Sequence, residues 1–131
     1  TPHGLMVPKI RDVDQMSIKE IGSALRKTSR LCRDLKIDKK EFFGGSMTIS
    51  SLGGIGGTFF TPIINPPEVA ILGVGRSFDR LVKVNDKFVS RKILPISLSY
   101  DHRIIDGAEG ARFCVYLGKC LGKDFAFKLA V

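Results

Sequence analysis

The stretch LPISLSYDHRIIDGAEGARF, residues 94–113, decides the fold. In its first half Leu94, Ile96, Leu98 and Tyr100 alternate with Pro95, Ser97 and Ser99. A period of two predicts a strand with one apolar face and one small, polar face, lining a core on one side and a crevice on the other. The strand ends in Asp101-His102-Arg103, and Asp106 and Gly107 then open a helix that runs to about Leu121. Ala108, Ala111, Phe113, Cys114, Val115 and Leu117 give that helix a wide apolar face. Gly110, Gly118 and Gly122 lower its intrinsic propensity, so packing has to hold it.

Upstream, LVKVNDKFVSRK, residues 81–92, reads as a hairpin turning at Asn85–Asp86. Pro66–Pro67 marks a turn before a buried strand, Val69 to Val74. Ser46 to Ser51 reads as a short strand, and Gly53, Gly54, Gly56 and Gly57 behind it demand an unusual backbone path. No Gly-Lys-Ser/Thr closes that loop, and no helix follows it, so neither a Walker loop nor a dinucleotide fingerprint is convincing. Packing and ligand-facing roles both stay open for it. Ser17 and Glu20 have capping-box spacing. Ile18, Ile21, Leu25, Cys32 and Leu35 fall near one face of the helix that follows, with Ala24 and Thr28 filling gaps. Lys19, Arg26, Lys27, Arg30 and Arg33 read as its solvated side. Leu5 to Ile10 is apolar and β-rich and reads as a strand. The order predicts an α/β two-layer sandwich of about half a dozen strands in a mixed sheet, with helices on one face. Its core is thin and depends on further sequence or on other subunits.

The chain's 131 residues suffice for one modest domain, and neither a linker nor an internal repeat divides it. Its net charge of +8, from 21 basic and 13 acidic residues, suits a polyanion. The basic residues are dispersed and form no nucleic-acid motif, so a phosphorylated cofactor or an acidic protein is equally compatible. No apolar run reaches the roughly 18 residues of a membrane span. Cys32, Cys114 and Cys120 are odd in number and lack CxxC spacing, which fits reduced core cysteines of an intracellular protein. TPHGLMVP, residues 1–8, reads as the middle of a longer protein or a trimmed chain.

A histidine at a strand end can be a base, a metal ligand or a core residue. Metal is disfavoured, because the other histidine is His3 and neither has cysteines or carboxylates clustered around it. No G-x-S-x-G elbow and no cysteine in an activating motif supplies a nucleophile. As a base, His102 therefore acts on a nucleophile that arrives with the substrate. A thiol suits this, needing modest help to ionise. Asp106 either orients the histidine or fixes the turn through a salt bridge to an arginine. The sharp strand-to-helix turn favours the bridge.

SLSYDHRIIDGAEGARF, residues 97–113, resembles the D-H-R-x-x-D-G motif of the dihydrolipoamide acyltransferases, the core subunits of 2-oxo acid dehydrogenase complexes. TPHGLMVP, GGSMTISSLGGIGGTFFTPIINPPEVAILGVG and LPISLSYDHRIIDG occur in that family's order and spacing. The resemblance covers Thr1 to about Phe113 and, more loosely, the tail. The chloramphenicol acetyltransferases are similar in fold and carry a related H-x-x-x-D-G pattern. The resemblance implies a chloramphenicol-acetyltransferase-like fold and acyl transfer from a dihydrolipoyl arm to coenzyme A. His102 matches the general base. Ser50, with Ser51 adjacent, matches the donor to the tetrahedral oxyanion, a role that can be worth roughly 3 kcal/mol. Asp106 matches the carboxylate that holds the turn through an arginine.

The same resemblance implies a homotrimer in which the histidine comes from one chain and the serine from its neighbour. Such trimers assemble into hollow cubic or dodecahedral cores that bind decarboxylase and dihydrolipoamide dehydrogenase subunits. FAFKLAV, residues 125–131, is apolar enough for the contact between trimers. Residues 1–131 would be the C-terminal portion of a catalytic domain. The N-terminal part of that domain, with many coenzyme A contacts and the arginine partner of Asp106, would lie outside, as would the lipoyl and subunit-binding domains. Acetyl is the expected group, since residues 94–113 are most similar to pyruvate-type members from Gram-negative bacteria. GIGGTFFTP and MSIKEI are also similar to branched-chain members. A non-catalytic core scaffold and a polyanion-binding module are the competing readings. Neither nucleic acid nor membrane is expected as a partner. The location implied is the cytoplasm of a bacterium, or the mitochondrial matrix of a eukaryote.

Overall fold

A computed structural model of the chain describes residues 1–122 and Phe125. These fall into two compact units, Thr1–Gly45 and a second that begins at Ser46. The rest of the FAFKLAV tail, expected to join trimers, lies outside the described residues.

In the first unit the capping box forms as its spacing predicts. Ser17 Oγ accepts from the Glu20 N–H, and the Glu20 carboxylate accepts from the Ser17 N–H at 2.8 Å. These bonds from Ser17 hold the Glu20 carboxyl below its ordinary range. They start α1 (Ile18–Arg33), on which Ile21, Ala24, Thr28 and Leu31 are half-buried around the buried Cys32. Ile18, Leu25 and Leu35, expected on that face, are exposed. Leu25 lies at the flank of the stripe, and Leu35 follows the helix end in a left-handed conformation, φ +55°, that turns it away. The five basic residues are exposed, as expected.

Leu5 to Ile10 does not form a strand. The Lys9 N–H donates to the Glu41 carbonyl at 2.7 Å, but Pro8 has no N–H, and Leu5 is 92% exposed. β-rich composition makes a strand only where a second strand completes the ladder. Arg11 clasps the short 3-10 turn Lys39–Phe42 instead, donating to the carbonyls of Lys40 and Phe43 at 2.9 Å beside the Glu41 carboxylate.

The second unit holds five strands: β1 (Thr48–Ser51), β2 (Ala70–Val74), β3 (Phe78–Val84), β4 (Lys87–Ile93) and β5 (Ile96–Tyr100). They form two sheets where one was expected. β1 pairs parallel to β2, and β5 antiparallel to it, giving a mixed three-stranded sheet centred on β2. Among the described residues, β3 and β4 pair only with each other. Their turn is where the sequence places it. Asn85 and Asp86 both take positive φ, +47° and +59°, as a two-residue turn of type I′ requires.

β2 is the core. Ala70, Ile71 and Leu72 are 5–8% exposed, and burying a side chain of the size of Ile or Leu contributes about 1.5–3 kcal/mol. Two glycines let other elements reach this sheet. A Cβ on Gly75 would stand 2.0 Å from the Thr58 carbonyl oxygen, so the chain after β2 passes directly against the loop that follows β1. Gly110 is the buried residue of α2 (Gly107–Cys120) and lies against the ring of Tyr100 on β5. Cys114 and Leu117 continue that half-buried stripe, while Phe113, Val115 and Tyr116 are exposed. The helix thus packs through a narrower face than its composition predicts. A mixed sheet with a helix laid on it is the two-layer α/β arrangement expected.

Candidate active site

The Asp101 N–H donates to the Val69 carbonyl at 2.8 Å, extending β5 by one bond. Its carboxylate then closes the turn that follows. It accepts from the Arg103 N–H at 3.0 Å and from Arg103 Nε at 2.9 and 3.1 Å, while Arg103 Nη2 comes within 2.5 Å. An Asp that binds the backbone two residues on is a self-contained turn element. The Arg103 guanidinium and N–H hold the Asp101 carboxyl at about 2. His102 projects from this turn, exposed, its ring centroid 5.7 Å from that of Tyr100 at a tilt of 39°. His102 Nε2 and the Tyr100 hydroxyl each lie 3.9 Å from where a Cβ on Gly107 would stand, so glycine there leaves the imidazole's flank open.

Asp106 also has a partner in the helix it precedes. Its carboxylate accepts from the Glu109 N–H at 2.8 Å and caps α2. Among the described residues it has no arginine partner, and the bridge across this turn belongs to Asp101 and Arg103. At the N-cap the free amides of the first helical turn satisfy a carboxylate well, and the arginine expected to pair with Asp106 is placed outside residues 1–131.

Ser50 is half-buried on β1, and its hydroxyl has no hydrogen-bond partner among the described residues. The register shows what it faces. Ser50 pairs with Gly73, which pairs with Ser97; Thr48 pairs with Ile71, which pairs with Ser99. Paired residues share a face, so Ser50, Thr48, Ser97 and Ser99 lie on one side of the sheet. Ser51, Ile49, Leu72, Leu98 and Tyr100 lie on the other. Ser50, not Ser51, therefore belongs to the small, polar face predicted for β5. His102 stands beside Tyr100, and no hydrogen bond joins it to Ser50 within the chain.

Three features were not anticipated: the Tyr100–His102 ring pair, the Asp101–Arg103 bridge, and the buried bond from Thr48 Oγ1 to Glu68 Oε2 at 2.5 Å. The D-x-R spacing signals the second. Nothing in the sequence marks Glu68, which follows two prolines, as a buried carboxylate.

The three-stranded mixed sheet and its packed helix are the chloramphenicol-acetyltransferase-like fold. The chain belongs to the family of 2-oxoacid dehydrogenase acyltransferases (catalytic domain), whose model matches residues 1–126. It is 51% identical over 125 residues to the dihydrolipoyllysine-residue acetyltransferase component of the pyruvate dehydrogenase complex of Cupriavidus necator, covering 95% of this chain and 22% of that one. The corresponding protein of Haemophilus influenzae is 51% identical over 121 residues, 92% of this chain and 21% of its own length. Among solved structures, the Azotobacter vinelandii dihydrolipoamide acetyltransferase superposes with a TM-score of 0.90 at 48% identity, over 95% of this chain and 51% of that one. A structure of the cubic core of the pyruvate dehydrogenase multienzyme complex gives 0.90 at 47% identity, with the same coverages. The chain thus spans about a fifth of the length of these curated relatives and about half of the solved chains.

Proposed function

We infer that the protein containing this chain transfers an acetyl group between dihydrolipoamide and coenzyme A in a pyruvate dehydrogenase complex. One observation carries the reading. The Azotobacter structure was determined to define the role of a serine, a histidine and an asparagine in the catalytic mechanism, and these are separated by 52 and by four residues. Ser50, His102 and Asp106 have the same separations. The names of the relatives favour acetyl over a branched-chain acyl group.

In this reading the exposed His102 imidazole takes the proton of the coenzyme A thiol, and the thiolate attacks the thioester carbon on the lipoyl arm. The Ser50 hydroxyl, free of internal partners, donates to the oxyanion that forms. Collapse expels the dihydrolipoyl thiolate, which takes the proton back from the imidazolium, so the enzyme ends unchanged. Asp106, by capping α2, holds the turn that aims His102. The site is shared between subunits of a trimer. This is supported by the position of Ser50 on the face opposite Tyr100, beside whose ring His102 stands, and by the exposed Ile49, Ile55, Phe59 and Ile63, apolar side chains suited to burial against a neighbour. A cubic core is supported by the solved core that superposes on this chain. The decarboxylase and dihydrolipoamide dehydrogenase subunits are the proposed partners, and the bacterial cytoplasm is the proposed location.

The test is acetyl transfer from acetyl-CoA to dihydrolipoamide by the full-length protein and its His102→Ala variant, with particle mass followed by light scattering. Loss of about 10²–10⁴-fold in kcat with an unchanged particle is the expected result for a missing general base. Activity within twofold of the parent would remove His102 from the reaction.

A further inference from the structure

Thr48 and Glu68 are the buried polar side chains of the described residues, 9% and 7% exposed, and they bond to each other at 2.5 Å. A carboxylate taken out of water is unfavourable unless hydrogen bonds compensate it, and a hydroxyl donor to a charged acceptor makes a strong one. The bond spans 20 positions of sequence. It ties β1 to the chain just ahead of β2, where the Glu68 N–H donates to the Asn65 carbonyl at 3.0 Å.

The location of the bond gives it meaning. Thr48 and Ser50 are two residues apart on β1 and share a face, so the bond anchors the strand one step from the proposed oxyanion donor. β1 is four residues long and, among the described residues, pairs on one side only. Such a strand has little else to set its tilt. Its far end carries a second tie. Arg76 Nη2 donates to the Ile55 carbonyl at 3.1 Å and Arg76 Nε to the Gly53 carbonyl at 3.4 Å, while the Leu52 N–H donates to the Val74 carbonyl at 3.0 Å. Ser50 therefore sits between two clasps, and both reach back to the ends of β2.

We propose that Glu68, acting through Thr48, is a positioning residue for the Ser50 hydroxyl, a buried carboxylate that sets where the oxyanion donor stands. The proposal rests on the role given to Ser50 above. An oxyanion donor works only when its hydrogen bond reaches the developing charge, and a displacement of about 1 Å can cost about 10²-fold in rate. Thr48 donates its proton to Glu68, which leaves Ser50 as the free hydroxyl of β1 on the face the two residues share.

The test is a double-mutant cycle in the full-length assembled protein: Ser50→Ala, Thr48→Val, and both together, with kcat and both KM values measured and Thr48→Ser as the conservative control. Thr48→Val is expected to lower kcat about 10–10²-fold with KM values within twofold. It should have no further effect on kcat in the Ser50→Ala background, and Thr48→Ser should restore most of the loss. An equal loss in both backgrounds, or no loss, overturns the proposal. If Thr48→Val does not assemble, Glu68→Gln takes its place in the cycle under the same criteria. Failure of both to assemble assigns the pair to folding alone and also overturns it. A Ser50→Ala variant with full kcat overturns the role of Ser50 itself, which separates that failure from failure of the positioning pair.

Discussion

Gly110 of α2 lies so close to Tyr100 of β5 that a Cβ on the glycine would stand 2.8 Å from ring atom Cε1 and 3.1 Å from Cζ. The same Tyr100 ring flanks His102. Gly110→Ala therefore forces the helix and the ring apart, an overpacking cost of about 1–3 kcal/mol that outweighs the roughly 1 kcal/mol alanine gains in helix propensity. Urea unfolding of the full chain should show net destabilisation, and kcat should fall because the imidazole loses its neighbour. An unchanged midpoint would show that the ring swings away freely.

Gly75→Ala should be worse. The obstacle there is the Thr58 carbonyl oxygen at 2.0 Å, which is backbone and cannot move to another rotamer. We expect the variant not to accumulate as a soluble assembly, read by size-exclusion chromatography of matched lysates. A normal assembly peak would mean that the loop after β1 has another path open to it.

The cap on α2 predicts a graded pair. Asp106→Ala removes the acceptor for the Glu109 N–H and should cost about 1 kcal/mol in chemical denaturation. Asp106→Asn keeps an acceptor of similar reach and should stay within a few tenths of a kcal/mol. Equal losses from both would point to the charge of Asp106 instead of its cap.

The Asp101–Arg103 bridge predicts a pH dependence. The folded-state carboxyl, at about 2, lies below its ordinary value of 3.8, so the bridge stabilises the fold above about 4. That contribution is lost as pH falls from about 4 through about 2. Asp101→Asn should be less stable than the parent at neutral pH, and the difference in melting temperature should shrink toward zero by pH 2. A difference independent of pH would assign the effect to the bond with the Arg103 N–H alone.

What the sequence disclosed was local. β5, α2, the capping box at Ser17 and the turn at Asn85–Asp86 each follow from periodicity or turn chemistry within a dozen residues. Leu5 to Ile10 failed because a strand belongs to a pair, and composition carries no information about a missing partner. The cap that Asp106 makes on α2 was overlooked because the search was for opposite charge and passed over the amides of the helix it precedes. Ser50, His102 and Asp106 were visible through family resemblance. That Ser50 and Tyr100, the neighbour of His102, take opposite faces follows only from strand register, which no single segment encodes. Glu68 was invisible, because burial of a carboxylate depends on a threonine 20 positions earlier.

The two faces of the small sheet also bear on heredity. In the proposed trimer, with the Ser50 hydroxyl on one side of the sheet and the His102 imidazole beside Tyr100 on the other, each copy of the chain would lend one half of a reaction centre to one neighbour and the other half to the next. A copy that lacks the hydroxyl still carries a sound imidazole, and a copy that lacks the imidazole still carries a sound hydroxyl. Two alleles, each inactive by itself, should then complement when coexpressed, since mixed rings rebuild some whole centres from two damaged chains.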